Sequence, residues 1–558
     1  MHQMTRARIA GLAALCALGI AVVAAATSAG ATSPLSKVNH IVVIYEENHS
    51  FDNLYGGWEG VNGRASADAA HTTQVDQAGA PYACLKQMDV NLAAIPSTCT
   101  DPHGFSSAFK NTWYLIDPLI PPTAKTCPTP QKAFSFPNGV PDGQGLPGGC
   151  TRDLVHKFYQ EQYQLNGGAQ NRYMVGSDSA GMTMGVYDTK QLPVYKWLHS
   201  AKHPNYVIAD DFFQAAFGGS FLNHQYLVAA QAPVDPNAPA AQHSQVDPAG
   251  FPNRTYPLYN PVPGATYKDS DFTVTCPAPS PNLACGNYAV NTMQPSNEPS
   301  GLFGDKLVLQ TAPTIGDRLS SKNVDWSWYA GGWADAAGLT TDPGYTNGSG
   351  PSCTNPNHDP SAKYVYPECP DLVFQYHHQP FNYFANYSPG TPGRAHLQDE
   401  ADMLKLLDAS RKPNKCALKP VTFYKPLGEE NDHPGYASTT NSELKLVHLL
   451  QFIEGGNCKK DTMVIVTYDE FGGQWDHVPP PGQGNNNGPH DQFGPGTRIP
   501  ALIFAPGLKN SFSVDSKEHD TTSILATIEH RYGLAPLSTR DAAVSDLSSI
   551  WSAKVVTK

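Results

Sequence analysis

The chain has 558 residues, with 37 Lys and Arg against 49 Asp and Glu and a formal net charge of −12. No basic patch or basic helix breaks that acidic balance, which argues against nucleic acid as a partner. Charged residues are only 15% of the chain while Gly and Pro number 48 and 49, so the sequence is loop-rich, with 40% hydrophobic residues left to build a large core. A length prior gives about three domains; the motif positions below argue for one.

Arg6 and Arg8 precede an apolar stretch from Ile9 to Ala26, and Ala29-Gly30-Ala31 follows as a small-x-small cleavage site. This reads as a signal peptide over residues 1–31, with residues 32–558 as one catalytic domain, exported to the periplasm or secreted. The run is too Ala-rich and short for a membrane anchor, and no later segment approaches spanning length, so no transmembrane anchor is expected. Beyond Cys16 the cysteines fall into sequence-near pairs: Cys84/Cys99, Cys127/Cys150, Cys276/Cys285, Cys353/Cys369 and Cys416/Cys458. Export makes five local disulfides the simplest expectation, although spacing alone does not fix connectivity.

Val38–Tyr45 is a buried-strand pattern and runs into Glu47-Asn48-His49-Ser50-Phe51-Asp52. Residues 56–150 are polar and Pro/Gly-rich, a loop insertion. A helix is expected over 153–164, a strand over 206–209, and a helical segment over 226–230 after Phe217-Gly218-Gly219-Ser220-Phe221-Leu222-Asn223-His224. A second insertion spans roughly 233–370, interrupted by a helix at 314–320 and an aromatic strand at 324–329. Helices follow at 396–410 and 442–454, the latter capped by Gly455, with a strand at 421–424 between them. Strands at 463–468 and 501–504 and a closing helix at 521–532 complete the pattern. Met463–Tyr468 runs into Asp469-Glu470-Phe471-Gly472-Gly473-Gln474-Trp475-Asp476-His477. Alternating strands and helices predict an α/β fold.

Two acidic clusters about 420 residues apart thus follow buried strands. In an open α/β sheet, ligands bind at the carboxyl ends of strands. Carboxylates brought together there need a cation, and hard oxygen donors suit Mg, Ca, Mn or Fe(II) better than a structural zinc. A Gly-Gly-Ser is most often a plain turn, but Ser220 opens a plausible helix, whose N-terminus favours an alkoxide and an anionic substrate. Asn223, one turn on, could donate to a phosphoryl oxygen. His378, His433 and His477 are candidate acids for a leaving alcohol, with His377 beside them as a donor. His156 and His103 are weaker substrate-binding candidates. Cationic histidines in a phosphate pocket would place the pH optimum below neutrality.

These residues resemble the bacterial phosphoesterase family that joins acid phosphatases and phospholipases C, related to the alkaline phosphatase superfamily. The resemblance covers about residues 37–535. Its motifs here are Glu47-Asn48-x-Ser50-Phe51-Asp52 and Asp469-Glu470-x-Gly472-Gly473-x-x-Asp476-His477-Val478-x-Pro480-Pro481. Phe493-Gly494-Pro495-Gly496-x-Arg498-x-Pro500 and Asp520-Thr521-Thr522-Ser523-Ile524-Leu525 also match. The resemblance implies a doubly wound mixed or parallel sheet and one divalent metal ion, its identity open among Ca, Mg, Mn, Fe and Zn. In the acid phosphatase branch the ligands fall on Glu47, Asn48, Asp469, Glu470 and the nucleophile Ser220, with His377, His378 and His433 lining the phosphate site. The phospholipase C branch carries a Thr before a Pro-Asn-Arg run where this chain has Gly-Gly-Ser-Phe-Leu-Asn-His. The expected substrate is a small phosphomonoester, the alternative a phospholipid headgroup diester. A non-catalytic exported binding protein is disfavoured by Ser220 and the histidines, and a sulfatase by the lack of a Cys-x-Pro-x-Arg.

Overall fold

In the computed structural model, residues 33–85, 99, 109–117, 153–177, 179–237, 243–244, 286–291, 306–345, 374–412, 416–434, 437, 439–482 and 489–557 are described. A nine-stranded sheet organises them. In chain order its strands are β1 (His40–Glu46), β2 (Tyr206–Ala209), β3 (Trp326–Ala330), β4 (Leu397–Asp399), β5 (Val421–Lys425), β6 (Thr462–Tyr468), β7 (Ala501–Phe504), β8 (Phe512–Asp515) and β9 (Lys554–Val555). Across the sheet the order is β9-β8-β2-β7-β6-β1-β5-β3-β4. All run parallel except β7 and β9, which pair antiparallel with their neighbours.

The central strands are buried on both faces, as a parallel sheet covered on either side requires. Ile41–Ile44 of β1 and Met463–Ile465 of β6 are fully buried. The two strands are in register from His40 opposite Thr462 to Glu46 opposite Tyr468, while β5 flanks β1 on its other edge. The carboxyl ends of β6, β1 and β5 therefore lie side by side. That alignment brings Asp469-Glu470, Glu47-Asn48 and Lys425 together. Pro34–Lys558 forms a single compact unit.

The helix expected over 153–164 begins only at Phe158 and ends at Leu165. Residues 153–157 lie outside the helix, with Lys157 extended at φ −89° and ψ 163°, and this non-helical stretch carries His156. The helix expected at 396–410 is Glu400–Ala409; its first residues form β4, and Asp399 caps the helix by accepting from the Ala401 N–H. Gly455 is the last helical residue of Thr439–Gly455, so it ends that helix from inside. The short edge strands β4 and β9 and the strand β8 were not foreseen. Among the foreseen disulfides Cys84–Cys99 and Cys416–Cys458 are formed. The pairs Cys127/Cys150, Cys276/Cys285 and Cys353/Cys369, and His103, lie outside the described residues. No described helix is long and apolar enough to cross a membrane.

Candidate functional site

β2 leads through Phe212-Phe213 into a turn and the helix Ser220–Ala229. Gly218 has φ +86°, and a Cβ there would meet the Phe158 backbone nitrogen at 2.5 Å, so only glycine fits. Buried Glu161 accepts from the Gly218 N–H at 2.5 Å and from the Thr497 N–H and hydroxyl at 2.7 Å each. Gln214 donates to Glu161 at 2.9 Å, to Ala216 O at 2.7 Å and to Gly218 O at 3.1 Å, and accepts from the Phe471 N–H at 2.9 Å. One glutamine thereby ties the turn before Ser220 to the loop that follows Asp469-Glu470. The Asn223 amide is engaged in the same turn: its oxygen accepts from Ala216 N–H at 2.9 Å and its nitrogen donates to Ala216 O at 3.0 Å.

Ser220 is the first residue of its helix, with Gly219 as an N-cap that offers no side chain. Its hydroxyl donates to Glu47 Oε2 at 3.0 Å and lies 3.4 Å from Asn48 Oδ1. Glu47 Oε1 faces the other way, paired with Lys425 Nζ and 3.0 Å from His378 Nε2. Asp469 Oδ1 accepts from the Asn48 N–H at 3.0 Å and from the Glu470 N–H at 2.8 Å. Asn48 has φ +62°, which turns its side chain back over the strand ends.

Two histidines fix the Asn48 amide. His156 Nδ1 lies 2.5 Å from Leu154 O and His433 Nδ1 2.6 Å from Pro434 O. A carbonyl only accepts, so each Nδ1 carries the hydrogen, and in the neutral tautomer that this selects the Nε2 lone pair is the acceptor. Those two Nε2 atoms lie 3.4 Å and 3.1 Å from Asn48 Nδ2. The amide nitrogen donates to both rings, which leaves Asn48 Oδ1 turned toward Ser220.

The electrostatics are those of a site that lacks enough positive charge. Asp469 is pushed up to about 7 by burial and by the Glu47 charge. Glu470 is raised well above the ordinary range by burial and by Asp469. Burial also opposes charge on Glu47, but Lys425 and then His378 outweigh it and hold the carboxyl low. Asp469 Oδ2 and Glu470 Oε1 are buried and accept no hydrogen bond. Orphaned carboxylate oxygens of this kind are costly unless a cation meets them. Glu47, His224 and Asp469 offer ligand atoms within 4.8 Å of one another, as do Glu47, His377 and His378, and Asp153, His156 and His433. The donor set fits a hard divalent cation.

Burial pushes His378 down to about 4 and moves His377, His433 and His224 in the same direction. Burial thus disfavours the cationic histidines expected in a phosphate pocket, and a bound phosphoryl dianion would have to favour them.

The structure brings together Glu47, Asn48, Ser220, Asp469, Glu470, His156, His377, His378 and His433. His477 is elsewhere. Its Nδ1 lies 2.5 Å from Asp52 Oδ2, and its Nε2 lies 3.2 Å from Asn62 Oδ1. Arg498, fully buried, donates from Nε to Asp476 Oδ1 at 3.1 Å and from Nη2 to Asp52 Oδ1 at 3.4 Å. Among the described residues no contact joins His477 to Ser220 or Glu47. Its network instead staples the two motifs together, with the Asp52 N–H donating to Asp476 Oδ2 at 3.0 Å and Ser50 Oγ to Trp475 O at 2.7 Å.

Lys425 and His224 are functional-site residues that the sequence reading passed over. His224 sits four residues after Ser220, hence on the same helix face, and its Nδ1 lies 2.7 Å from Ser220 O and 3.8 Å from Asp469 Oδ2. That spacing was available in the sequence. A lysine closing the strand Val-Thr-Phe-Tyr-Lys gave no comparable signal.

A serine hydroxyl at a helix start beside a buried carboxylate cluster fits a metal-assisted ester hydrolase. The Phosphoesterase family model matches residues 38–535, and the chain belongs to that family. It is similar to phospholipase C A of Mycobacterium tuberculosis, with 21% identity over 93% of this chain and 78% of that protein. It is also similar to non-specific phospholipase C6 of Arabidopsis thaliana, with 27% identity over 25% of this chain and 30% of that protein. The crystal structure of Ps i-CgsB with k-i-k-neocarrahexaose matches 27% of this chain and 37% of its own at 14% identity and a TM-score of 0.17, too low to bear on the fold. The protein is a hydrolase acting on phosphoric ester bonds.

Proposed function

We propose that this chain is an exported, metal-dependent acid phosphatase acting on small phosphomonoesters through Ser220, on a doubly wound sheet of alkaline phosphatase-like type. The observation that carries the reading is Ser220 Oγ, at the start of its helix, 3.0 Å from the Glu47 carboxylate and 3.4 Å from the Asn48 amide oxygen, beside buried Asp469. A divalent cation held by Glu47, Asn48, Asp469, Glu470 and Ser220 would polarise a phosphoryl oxygen and lower the pKa of the serine hydroxyl.

With its proton lost to solvent before attack, as the cation and the helix N-terminus would favour, Ser220 Oγ attacks phosphorus. The Oγ–P bond forms, the bond to the leaving alkoxide breaks, and the charge spread over the phosphoryl oxygens meets His377, His378 and the free helix N–H groups. The bound dianion raises the lowered values of these rings, so His378 can protonate the leaving oxygen. Water then attacks the phosphoseryl group, releasing phosphate and restoring the hydroxyl. Ser220→Ala should cut turnover by at least about a thousandfold with fold and metal content retained. Turnover close to wild type would overturn the assignment.

A phospholipase C reading is favoured by the names of the relatives, one of which aligns with 93% of this chain. Purified protein assayed with p-nitrophenyl phosphate against p-nitrophenylphosphorylcholine separates the two: the phosphatase reading expects the monoester to have the higher kcat/KM. Export by a cleaved signal over residues 1–31 is tested by the N-terminal sequence of the secreted protein, expected to begin at Thr32.

A further inference from the structure

Lys425 is fully buried at the carboxyl end of β5. Its ammonium pairs with Glu47 Oε1, donates to Glu46 O at 3.2 Å and lies 5.2 Å over the Tyr45 ring. The backbone carbonyl and the strand fix where the ammonium sits. Glu47 therefore has two distinct sides, with Oε1 held by Lys425 and Oε2 left for Ser220. Among the described residues Lys425 is the one Lys or Arg paired with any of Glu47, Asp469 and Glu470; the other bases near them are imidazoles.

Charge counting follows. With the three carboxylates ionised, as metal ligation would require, and Ser220 a neutral hydroxyl, one ammonium opposes three negative charges and two stay unbalanced. A divalent cation neutralises that remainder. A trivalent one overshoots it and meets the repulsion of the ammonium at close range, where a unit charge matters most. We propose that Lys425 is the fixed internal counter-charge of the site: it sets the preference for a divalent over a trivalent cation and holds Glu47 so that one oxygen alone serves the metal. This rests on the reading of Glu47, Asn48, Asp469 and Glu470 as metal ligands.

Ca2+ and Tb3+ suit the test, because both prefer oxygen donors and are of similar size while differing in charge. The full chain, with disulfides intact and stripped by chelator, is titrated with each ion, and the ratio of the two dissociation constants is taken. Lys425→Met and Lys425→Gln should move that ratio toward Tb3+ by about tenfold or more. Lys425→Arg, which keeps the charge, should leave the ratio near wild type. Gln retains a donor for Glu46 O, so it serves if the Met variant does not fold. An unchanged ratio in a folded neutral variant would overturn the proposal. So would an unchanged ratio together with weakened inhibition by inorganic phosphate, the outcome expected if Lys425 served only the phosphoryl group. A wild-type protein that binds neither ion would remove the metal site itself, a result distinct from either.

Discussion

Two acidic clusters, built from the same two motifs, meet opposite fates. Asp52 and Asp476 enclose Arg498, whose guanidinium also donates to Asn62 O and Asp210 O at 2.7 Å each. Glu47, Asp469 and Glu470 have only Lys425, and Asp469 Oδ2 and Glu470 Oε1 remain without donors. Both clusters contain histidines and both offer plausible ligand atoms within 4.8 Å. The difference is whether the chain brings its own cation. Where it does, the cluster is a staple; where it falls short, the cluster is a candidate place for an ion. Ligand-type residues in proximity are therefore a poor criterion, and unmatched charge is a better one.

The largest effect expected is on the staple. Arg498→Met leaves buried Asp476 without its guanidinium and Asp52 with His477 alone, and should cost about 3–5 kcal/mol of stability, read by denaturant unfolding. Recovery of that loss on adding Ca2+ would blur the contrast, because it would make the second cluster a metal site in waiting. Asp469→Asn should do the reverse: it relieves repulsion, leaves the metal-free protein at least as stable as wild type, and weakens divalent binding by about a hundredfold in calorimetric titration. A third expectation is a gain of about 2.7 kcal/mol in wild-type stability at a divalent ion concentration a hundred times its Kd, falling to about 0.4 kcal/mol in Asp469→Asn at the same concentration.

The smallest effect concerns acid. Burial opposes charge on Asp52, yet His477 and then Arg498 hold its carboxyl below the usual range. A depressed carboxylate contributes stability that is present above its unfolded value and lost as pH falls through the folded one. The window lies below about pH 4. His477→Ala should raise the midpoint of acid unfolding by a few tenths of a pH unit, roughly the scale of losing one such partner. No shift would mean that Arg498 alone holds Asp52.

Much of this was legible in the sequence where local pattern sufficed. The apolar runs before Glu47 and Asp469 become β1 and β6, and Gly218-Gly219-Ser220 opens a helix because the chain turns there at a glycine of φ +86°. What escaped depends on neighbours distant in sequence. His477 looked catalytic beside Asp476, but Asp52, 425 residues away, takes its ring. Asn223 looked like a phosphoryl donor, and its amide is engaged by the turn it follows. Lys425 looked like an ordinary strand end, since nothing local says that β5 lies beside β1. The strands β4 and β9 are too short to carry a period of two.

The pairing of β1 with β6 has a consequence for biogenesis. The Asn48 N–H finds Asp469 across 421 residues of chain. A polypeptide emerging from its amino end carries the first half of the site long before the second is made. Loop closure over that span has to precede any high-affinity ion binding. On the proposed metal site, ion capture would then be a terminal event of maturation, in whichever compartment the last strand docks, and the ion acquired would be the one that compartment supplies.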